Sequence, residues 1–354
     1  MDGHLLSADG SEHEVTNEAV RQLLGSSTKF WLDLMDPEPA TADALLRDTF
    51  GFHELAVEDA EKFGQRPKLD SYDDYSLLVV FGADHLGQLI EVHCFYSEQY
   101  LVTVHRGHCP DLAQLADRLR RNPPRRPDHI MLLYRVVDAL IDGYFPVLGA
   151  LDDRIDELED AILQRPTEEQ LGHLFDLKRT LIAMRKVVTP QRDLFATFLA
   201  REDPLPGMTP EAERYFRDLY DHLIRISDLV DSYRDLLSGA LDTHLSTVSN
   251  RLNAVMKQLT IIATIFLPLS FLTGFFGQNF GWMVGKLTSL PVFLAVGVGL
   301  QLGAAVGLLV LFRRRGWLAS DATAPASLPR TPRAQRTRLF RQSPATVPTD
   351  LARD

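Results

Sequence analysis

Two long apolar runs near the C-terminal end restrict what this chain can become more than any other feature. No Asp, Glu, Lys or Arg falls between Lys257 and Lys286, nor between Lys286 and Arg313. Each run therefore exceeds the ~20 residues that cross a hydrocarbon layer of ~30 Å, which predicts two membrane spans, at residues 258–278 and 291–312. In lipid every backbone amide must bond within its own helix. The irregular segment Phe276-Gly277-Gln278-Asn279-Phe280-Gly281 between the runs is thus expected at a membrane surface or a pore mouth, with residues 279–290 as an outer loop.

Charge is divided unevenly. Residues 1–256 carry 45 acidic side chains against 26 basic ones, whereas from Lys257 onward 11 basic residues face 3 acidic ones. An acidic body does not suit nucleic acid; it suits cations, or a surface that concentrates them, and the two apolar runs make the lipid bilayer a partner. Cys94 and Cys109 are the only cysteines and form no CxxC, so no disulfide framework is expected and a reducing compartment fits. The first 25 residues hold no basic n-region and no apolar core of a signal peptide. Arg313-Arg314-Arg315 follows the second run directly, and basic residues favour the cytoplasmic side. The expectation is an inner (plasma) membrane protein with both termini cytoplasmic.

Along the chain, residues 1–27 are taken as an N-terminal extension and 28–126 as a cytoplasmic α/β domain. Its strands are expected at 75–81, 89–96 and 100–104, separated by turn signals such as Asp84-His85-Leu86-Gly87. Residues 127–205 form a helical region with a break near Arg165-Pro166-Thr167 and Pro190 inside a helix. After the breaker Pro206-Gly207-Met208-Thr209-Pro210, residues 209–278 are predicted as one stalk helix running into the first span. Leu219, Leu223, Ile226, Val230, Tyr233 and Leu237 recur at spacings of 4 and 3, and Leu241, Leu245, Val248, Leu252, Val255 and Leu259 continue that stripe toward partner helices. Residues 319–354, rich in Pro, Thr, Ala and Arg, are expected to be a disordered basic tail near anionic lipid.

On the same helix Asn253, Met256, Thr260, Ala263, Leu267, Ser270, Gly274 and Gly277 fall on one seam, which collects most of the polar and small residues of the span. Polar groups facing lipid are costly, so the seam faces other helices or water; small residues also permit tight helix packing, and periodicity alone leaves pore wall and packing face both open. Asn279 can turn its amide carbonyl or NH₂ toward a hydrated ion, or serve with Gly277 to end the helix. The cluster His105-Arg106-Gly107-His108-Cys109, with His93 and Cys94 upstream, fits no standard zinc spacing and is expected to be structural. No GxxxxGK[ST], GxSxG or HExxH occurs, so neither ATP-driven transport nor enzyme activity is expected.

These segments resemble the CorA-type divalent-metal (magnesium/cobalt) transporters, whose signature is a Gly-Met-Asn turn closing the first of two C-terminal spans. Here it stands as Gly277-Gln278-Asn279, preceded by a run from Met256 to Leu269 very like the family's first span. The likeness continues upstream in His53-Glu54-Leu55-Ala56-Val57-Glu58-Asp59, in Asp138-Ala139-Leu140-Ile141-Asp142 and in Phe216-Arg217-Asp218-Leu219-Tyr220-Asp221-His222, in the family's order, and covers residues 28–318. The resemblance implies a funnel-shaped homopentamer of α+β cytoplasmic domains, long stalk helices and two transmembrane helices. In it the first spans ring a pore lined from Asn253 to Gly274, with Met256 and Leu267 narrow enough to gate by excluding water. It implies Mg²⁺ as both permeating and regulatory ion, with Co²⁺ and Ni²⁺ also carried. The cytoplasmic regulatory site it implies sets Asp59, with Glu58 beside it, against Asp218 of the next subunit, with Asp138 at a second site. Two departures stand out. Gln278 replaces the signature Met, and the loop from Phe280 to Pro291 carries no carboxylate and one Lys286. They keep the zinc-transporting ZntB branch open, and a non-conducting, membrane-anchored metal sensor is the alternative of another class.

Overall fold

The computed structural model describes residues 2–26, 28–124, 128–200, 205–278, 281–286 and 289–317. The signature residue Asn279 and the tail from residue 319 lie outside the described residues. Among the described residues two compact units are present, one of residues 2–160 and 167–240, the other of residues 161–166 and 241–317.

The first unit is built on a seven-stranded sheet: β1 (Gly3–Ser7), β2 (Glu12–His13), β3 (Phe30–Met35), β4 (Lys68–Ser71), β5 (Ser76–Ala83), β6 (Leu89–Tyr96) and β7 (Tyr100–His105), in the order β2-β1-β3-β7-β6-β5-β4. Only β3 and β7 run parallel; every other pair is antiparallel. The predicted strands at 75–81, 89–96 and 100–104 therefore coincide with β5, β6 and β7. The residues before 28 are no appendage: β1 pairs with β3 in full register from Gly3↔Leu34 to Ser7↔Phe30, and Thr16 caps α1 (Asn17–Gly25) by accepting from Ala19 N. Five residues were too short a run to show as a strand, and their polar neighbours masked them.

Helices cover both faces, which is why every residue of β5 and β7 is buried and why these strands read as continuous apolar runs. On one face α1, α2 (Pro39–Asp43, followed by a π-helical turn Ala44–Thr49) and α3 (Glu54–Lys62) pack Val20, Leu45, Leu46, Ala56 and Val57 against Leu5, Leu32, Leu34, Phe95 and Val102. On the other lie α4 (Pro110–Arg121), α5 (His129–Asp142) and α7 (Glu168–Leu199). The predicted boundary at 126/127 consequently runs through one unit, because the helices after it are the sheet's second cover. Gln191 of α7, fully buried, donates to and accepts from the backbone of Phe81 at 3.2 and 2.7 Å, an edge-on tie that no hydrophobic pattern announces.

Gly82 of β5 permits α5 to approach this closely. A Cβ there would sit 2.9 Å from Leu140 Cδ2 and 3.2 Å from the Leu140 carbonyl oxygen. Replacing Gly82 with Val is expected to cost ~1–3 kcal/mol by overpacking, read as a lowered thermal midpoint of the full chain.

α6 (Tyr144–Gln164) follows α5 directly, and α8 (Pro210–Phe276) is a single helix of 67 residues. Within the first unit its stripe is core: Phe216, Leu219, Leu223, Ile226, Val230 and Leu237 are each at most 1% exposed. Farther along, Leu245, Leu252, Val255 and Leu259 are between 54% and 62% exposed. The second unit also contains α9 (Gly281–Lys286), and a second apolar helix from Leu290 to Arg314, made of α10 (Leu290–Val292), a π-helical stretch Phe293–Gly299 and α11 (Leu300–Arg314). Pro210–Phe276 and Leu290–Arg314 are both long and apolar enough to cross a membrane.

Candidate functional site

The first span ends as α8 ends. Gly277 N donates to Thr273 O at 2.9 Å and Gln278 N to Phe275 O at 3.4 Å, so the last turn tightens just where the Gly-Gln-Asn segment begins. A Cβ on Gly277 would lie 3.0 Å from the Thr273 carbonyl oxygen, which gives this glycine a steric reason of its own. The seam upstream is exposed throughout: Asn253, Met256, Thr260, Ala263, Leu267, Ser270 and Gly274 all stand open, Met256 at 59% and Leu267 at 75%. Off that seam Ile261, Ile265, Pro268, Leu269 and Leu272 are partly covered, while Ile262, Phe266 and Phe271 stand as open as the seam. Gln301 of the second apolar helix donates to Thr273 Oγ1 at 3.2 Å. Thr260 turns its hydroxyl back to Met256 O at 2.8 Å, leaving Asn253 and Ser270 as the seam's freer polar groups among its predicted members.

In the first unit the four predicted acids divide into two places. Glu58 and Asp59 sit on α3, partly buried, and each has a lysine: Glu58 pairs with Lys62, and Asp59 lies 2.6 Å from Lys68 Nζ, which also touches Asp70 at 2.6 Å. Burial works against the charge of Lys68, but its bonds to Asp59 and Asp70 outweigh it and hold its pKa above the ordinary value. The C-terminal end of α3 is pinned to the sheet. Phe63 closes it at φ 58°, Glu91 of β6 accepts from Gly64 N and Gln65 N at 2.7 and 3.0 Å, and Arg106 lies over the Phe63 ring at 4.4 Å.

Asp138 stands elsewhere, on α5, in company that the sequence predicts only in part. Asp138, Asp142 and His222 each bring a ligand atom within 4.8 Å of the others. Asp218, one turn before His222 on α8, has its carboxylate 3.8 Å from His222 Nε2, while Asp142 Oδ1 is 3.7 Å from His222 Nδ1. Neither Asp142 Oδ1 nor His222 Nδ1 has a hydrogen-bond partner among the described residues. Burial raises the Asp138 pKa to about 6, with the charge of Asp142 adding to it, and burial raises Asp142 as well. Partly buried carboxylates in mutual repulsion, with unspent lone pairs beside an imidazole, are what a divalent cation relieves. Asp142 and His222 were overlooked as ligands although both lie in segments singled out above; the signal was the i, i+4 spacing of Asp138 with Asp142 and of Asp218 with His222, which puts each pair on one helix face.

The His and Cys residues at 93–109 belong largely to the buried sheet and its edge. Cys94 and Cys109 are free and buried. His105, 2% exposed, donates through Nδ1 to Gly107 O at 2.9 Å and faces Asp33 Oδ1 at 3.4 Å. Asp33 in turn accepts from Thr103 Oγ1 at 2.5 Å, and Thr103 accepts from Trp31 Nε1 at 2.9 Å.

Set beside known proteins, residues 27–314 match the model of the CorA-like Mg2+ transporter protein family. The chain is 36% identical over 292 residues to a putative metal ion transporter, YfjQ, of Bacillus subtilis, covering 81% of this chain and 89% of that one. It is 37% identical over 314 residues to the cobalt/magnesium transport protein CorA of Thermotoga maritima, covering 85% and 87% respectively. Its fold is that of the CorA magnesium transporter of Methanocaldococcus jannaschii, with a TM-score of 0.76 at 22% identity over 90% of this chain and 99% of that one.

Proposed function

The chain belongs to the CorA-like Mg2+ transporter protein family, a family of divalent-metal transporters with membrane helices, and from that premise we propose that it is a passive homopentameric channel for Mg²⁺ that also admits Co²⁺ and Ni²⁺. The observation that carries this is the row of polar and small residues from Asn253 to Gly277 along one seam of a helix long and apolar enough to cross a membrane. Five such seams facing one another would line a pore, with the Gly277-Gln278-Asn279 turns at its outer mouth. Mg²⁺ sheds its inner waters reluctantly, so amide and backbone contacts to a hydrated ion suit it better than a dehydrating cage. Met256 and Leu267 would supply the apolar constriction that closes by dewetting. With both termini in the cytoplasm, an inside-negative membrane potential of 100 mV supplies about 2.3 kcal/mol per charge, and no other energy source is required.

Gating is assigned to cytoplasmic metal. Asp59, with Glu58 beside it, would meet Asp218 of the next subunit, and the cluster of Asp138, Asp142 and His222 would form the companion site. Loss of the ion restores repulsion among the carboxylates and loosens the ring. In a protease-protection assay Mg²⁺ or Co²⁺ is expected to slow digestion of the full chain; the double variant Asp138→Asn with Asp142→Asn should lose most of the Co²⁺ effect. Undiminished protection would remove this cluster from the gating scheme.

Zinc is the competing cargo, favoured by Gln278 and by the carboxylate-free loop from Phe280 to Pro291. Flux of Mg²⁺, Co²⁺ and Zn²⁺ into proteoliposomes decides the matter, measured under an imposed potential with and without a proton gradient. Entry of Zn²⁺ alone would replace the magnesium assignment, and entry of no ion would leave a membrane-anchored sensor.

A further inference from the structure

Where β1, β3, α4, α5 and the first turns of α8 meet, the first unit forms a half-open cavity of about 480 Å³, well within the size range of small-molecule sites. None of the acids or seam residues assigned to metal lines it. Much of its wall is apolar or aromatic, with Leu6, Trp31, Leu132 and Tyr215 among its residues.

Arg135 of α5 opens into this cavity, half-buried. Among the described residues its guanidinium makes no hydrogen bond and no ion pair; burial depresses its pKa, and the nearby Arg118 adds repulsion instead of relief. Two carboxylates border the cavity, and neither answers Arg135. Asp128 is the cap of α5, accepting from Ile130 N at 3.1 Å, and Glu211 is exposed in the first turn of α8.

The neighbouring histidine adds no competing charge. His129, 4% exposed, also lines the cavity, and its Nδ1 has no partner among the described residues. Burial lowers its pKa to about 4, so at neutral pH the ring is uncharged and brings no second cation to the cavity. A half-buried guanidinium without a counter-charge is costly, and the cost falls when an anion arrives. A single planar guanidinium matches a carboxylate in two parallel bonds, and the apolar wall calls for a hydrocarbon or aromatic body.

We propose that this cavity binds a small organic carboxylate, held by Arg135 at the carboxylate and by the Trp31, Leu132 and Tyr215 wall around its apolar body, with the uncharged His129 ring beside it. The inference is independent of the transported ion, since no residue of the seam or of the acid cluster takes part.

Cinnamate, with its neutral counterpart cinnamamide, serves as the probe on the full-length protein in lipid nanodiscs, read by calorimetry and by thermal midpoint, with empty nanodiscs subtracted. Cinnamate should bind and raise the midpoint, cinnamamide should bind more weakly, and R135Q should weaken cinnamate about tenfold or more while leaving cinnamamide unchanged. R135M should raise the midpoint of the ligand-free protein, because an unpaired charge gives way to an apolar chain, and should abolish the shift by cinnamate. No binding of cinnamate, equal binding of acid and amide, equal binding to R135Q, or a ligand-free midpoint that falls in R135M would each overturn the proposal; the last two would mean that Arg135 already has a carboxylate partner, such as one from a neighbouring subunit. The comparison of acid with amide on the unaltered chain decides even if neither variant folds.

Discussion

In proteoliposomes, Asn279→Ala is expected to cut Mg²⁺ and Co²⁺ entry by about tenfold or more. Asn279 follows the residue at which α8 stops bonding to itself, after Gly277 N and Gln278 N have closed the last turn. The proposed role of Asn279 is to turn its side-chain amide toward a hydrated ion. A hydrogen bond to a charged group is worth ~1.5–3 kcal/mol, which is a factor of about ten to a hundred, and a ring of identical subunits would lose it at every position at once. Gln278→Met, which restores the family's signature, keeps the turn and its amide and should leave flux of the same order. If Asn279→Ala conducts like the unaltered chain while the protein remains folded and inserted, the pore mouth lies elsewhere and the transport proposal fails with it.

The second large effect is on stability and concerns the parallel junction of β3 and β7. Asp33, 4% exposed, is the sole acceptor shown for the Thr103 hydroxyl and the charge partner of His105. Asp33→Ala removes both roles and leaves a buried imidazole without its counter-charge, a loss of ~3–5 kcal/mol or roughly 10 °C in thermal midpoint for a unit of this size. The pair also carries a pH signature. Burial opposes the charged ring of His105, but the bond and charge of Asp33 and the Gly107 carbonyl outweigh it and raise the folded pKa above the ordinary value of 6.5. A raised pKa means that the stabilisation is complete below about pH 6.5 and is lost as pH climbs through the higher folded value. Melting curves of the unaltered chain and His105→Asn should therefore differ most near pH 6 and converge toward pH 9. A gap that widened with pH would contradict the assignment.

Much of the architecture could be read locally. β5, β6 and β7 are apolar runs bounded by turn residues, and the helix boundaries at Pro166 and Pro210 are marked by residues that cannot continue a helix. The parts that escaped were those whose signal is not local. β1 is five residues long and finds its meaning in β3, which follows after α1. The boundary drawn at 126/127 followed a change of composition, yet α5 and α7 complete the cover of the same sheet. At the acid cluster, Asp138 was recognisable from its segment, but its neighbours Asp142 and His222 come together only because α5 and α8 lie side by side, and α5 sits where it does because Gly82 has no side chain to hold Leu140 away.

α8 shows the division most clearly. Its length, its unbroken stripe and its polar seam follow from spacing and from the absence of proline before Pro268, since helix periodicity and the exclusion of charge from hydrocarbon act on each stretch of chain by itself. The same stripe nevertheless has two fates: Leu219 to Leu237 is core, and Leu245 to Leu259 is open. Leucines at the same spacing carry no information about what will cover them. Burial is a property of the neighbours that the fold supplies, so the chain's pattern established two spans, a long helix and an acidic body, and the three-dimensional packing alone decided which faces are closed, which acids meet, and that Arg135 borders a cavity with no ion-pair partner among the described residues.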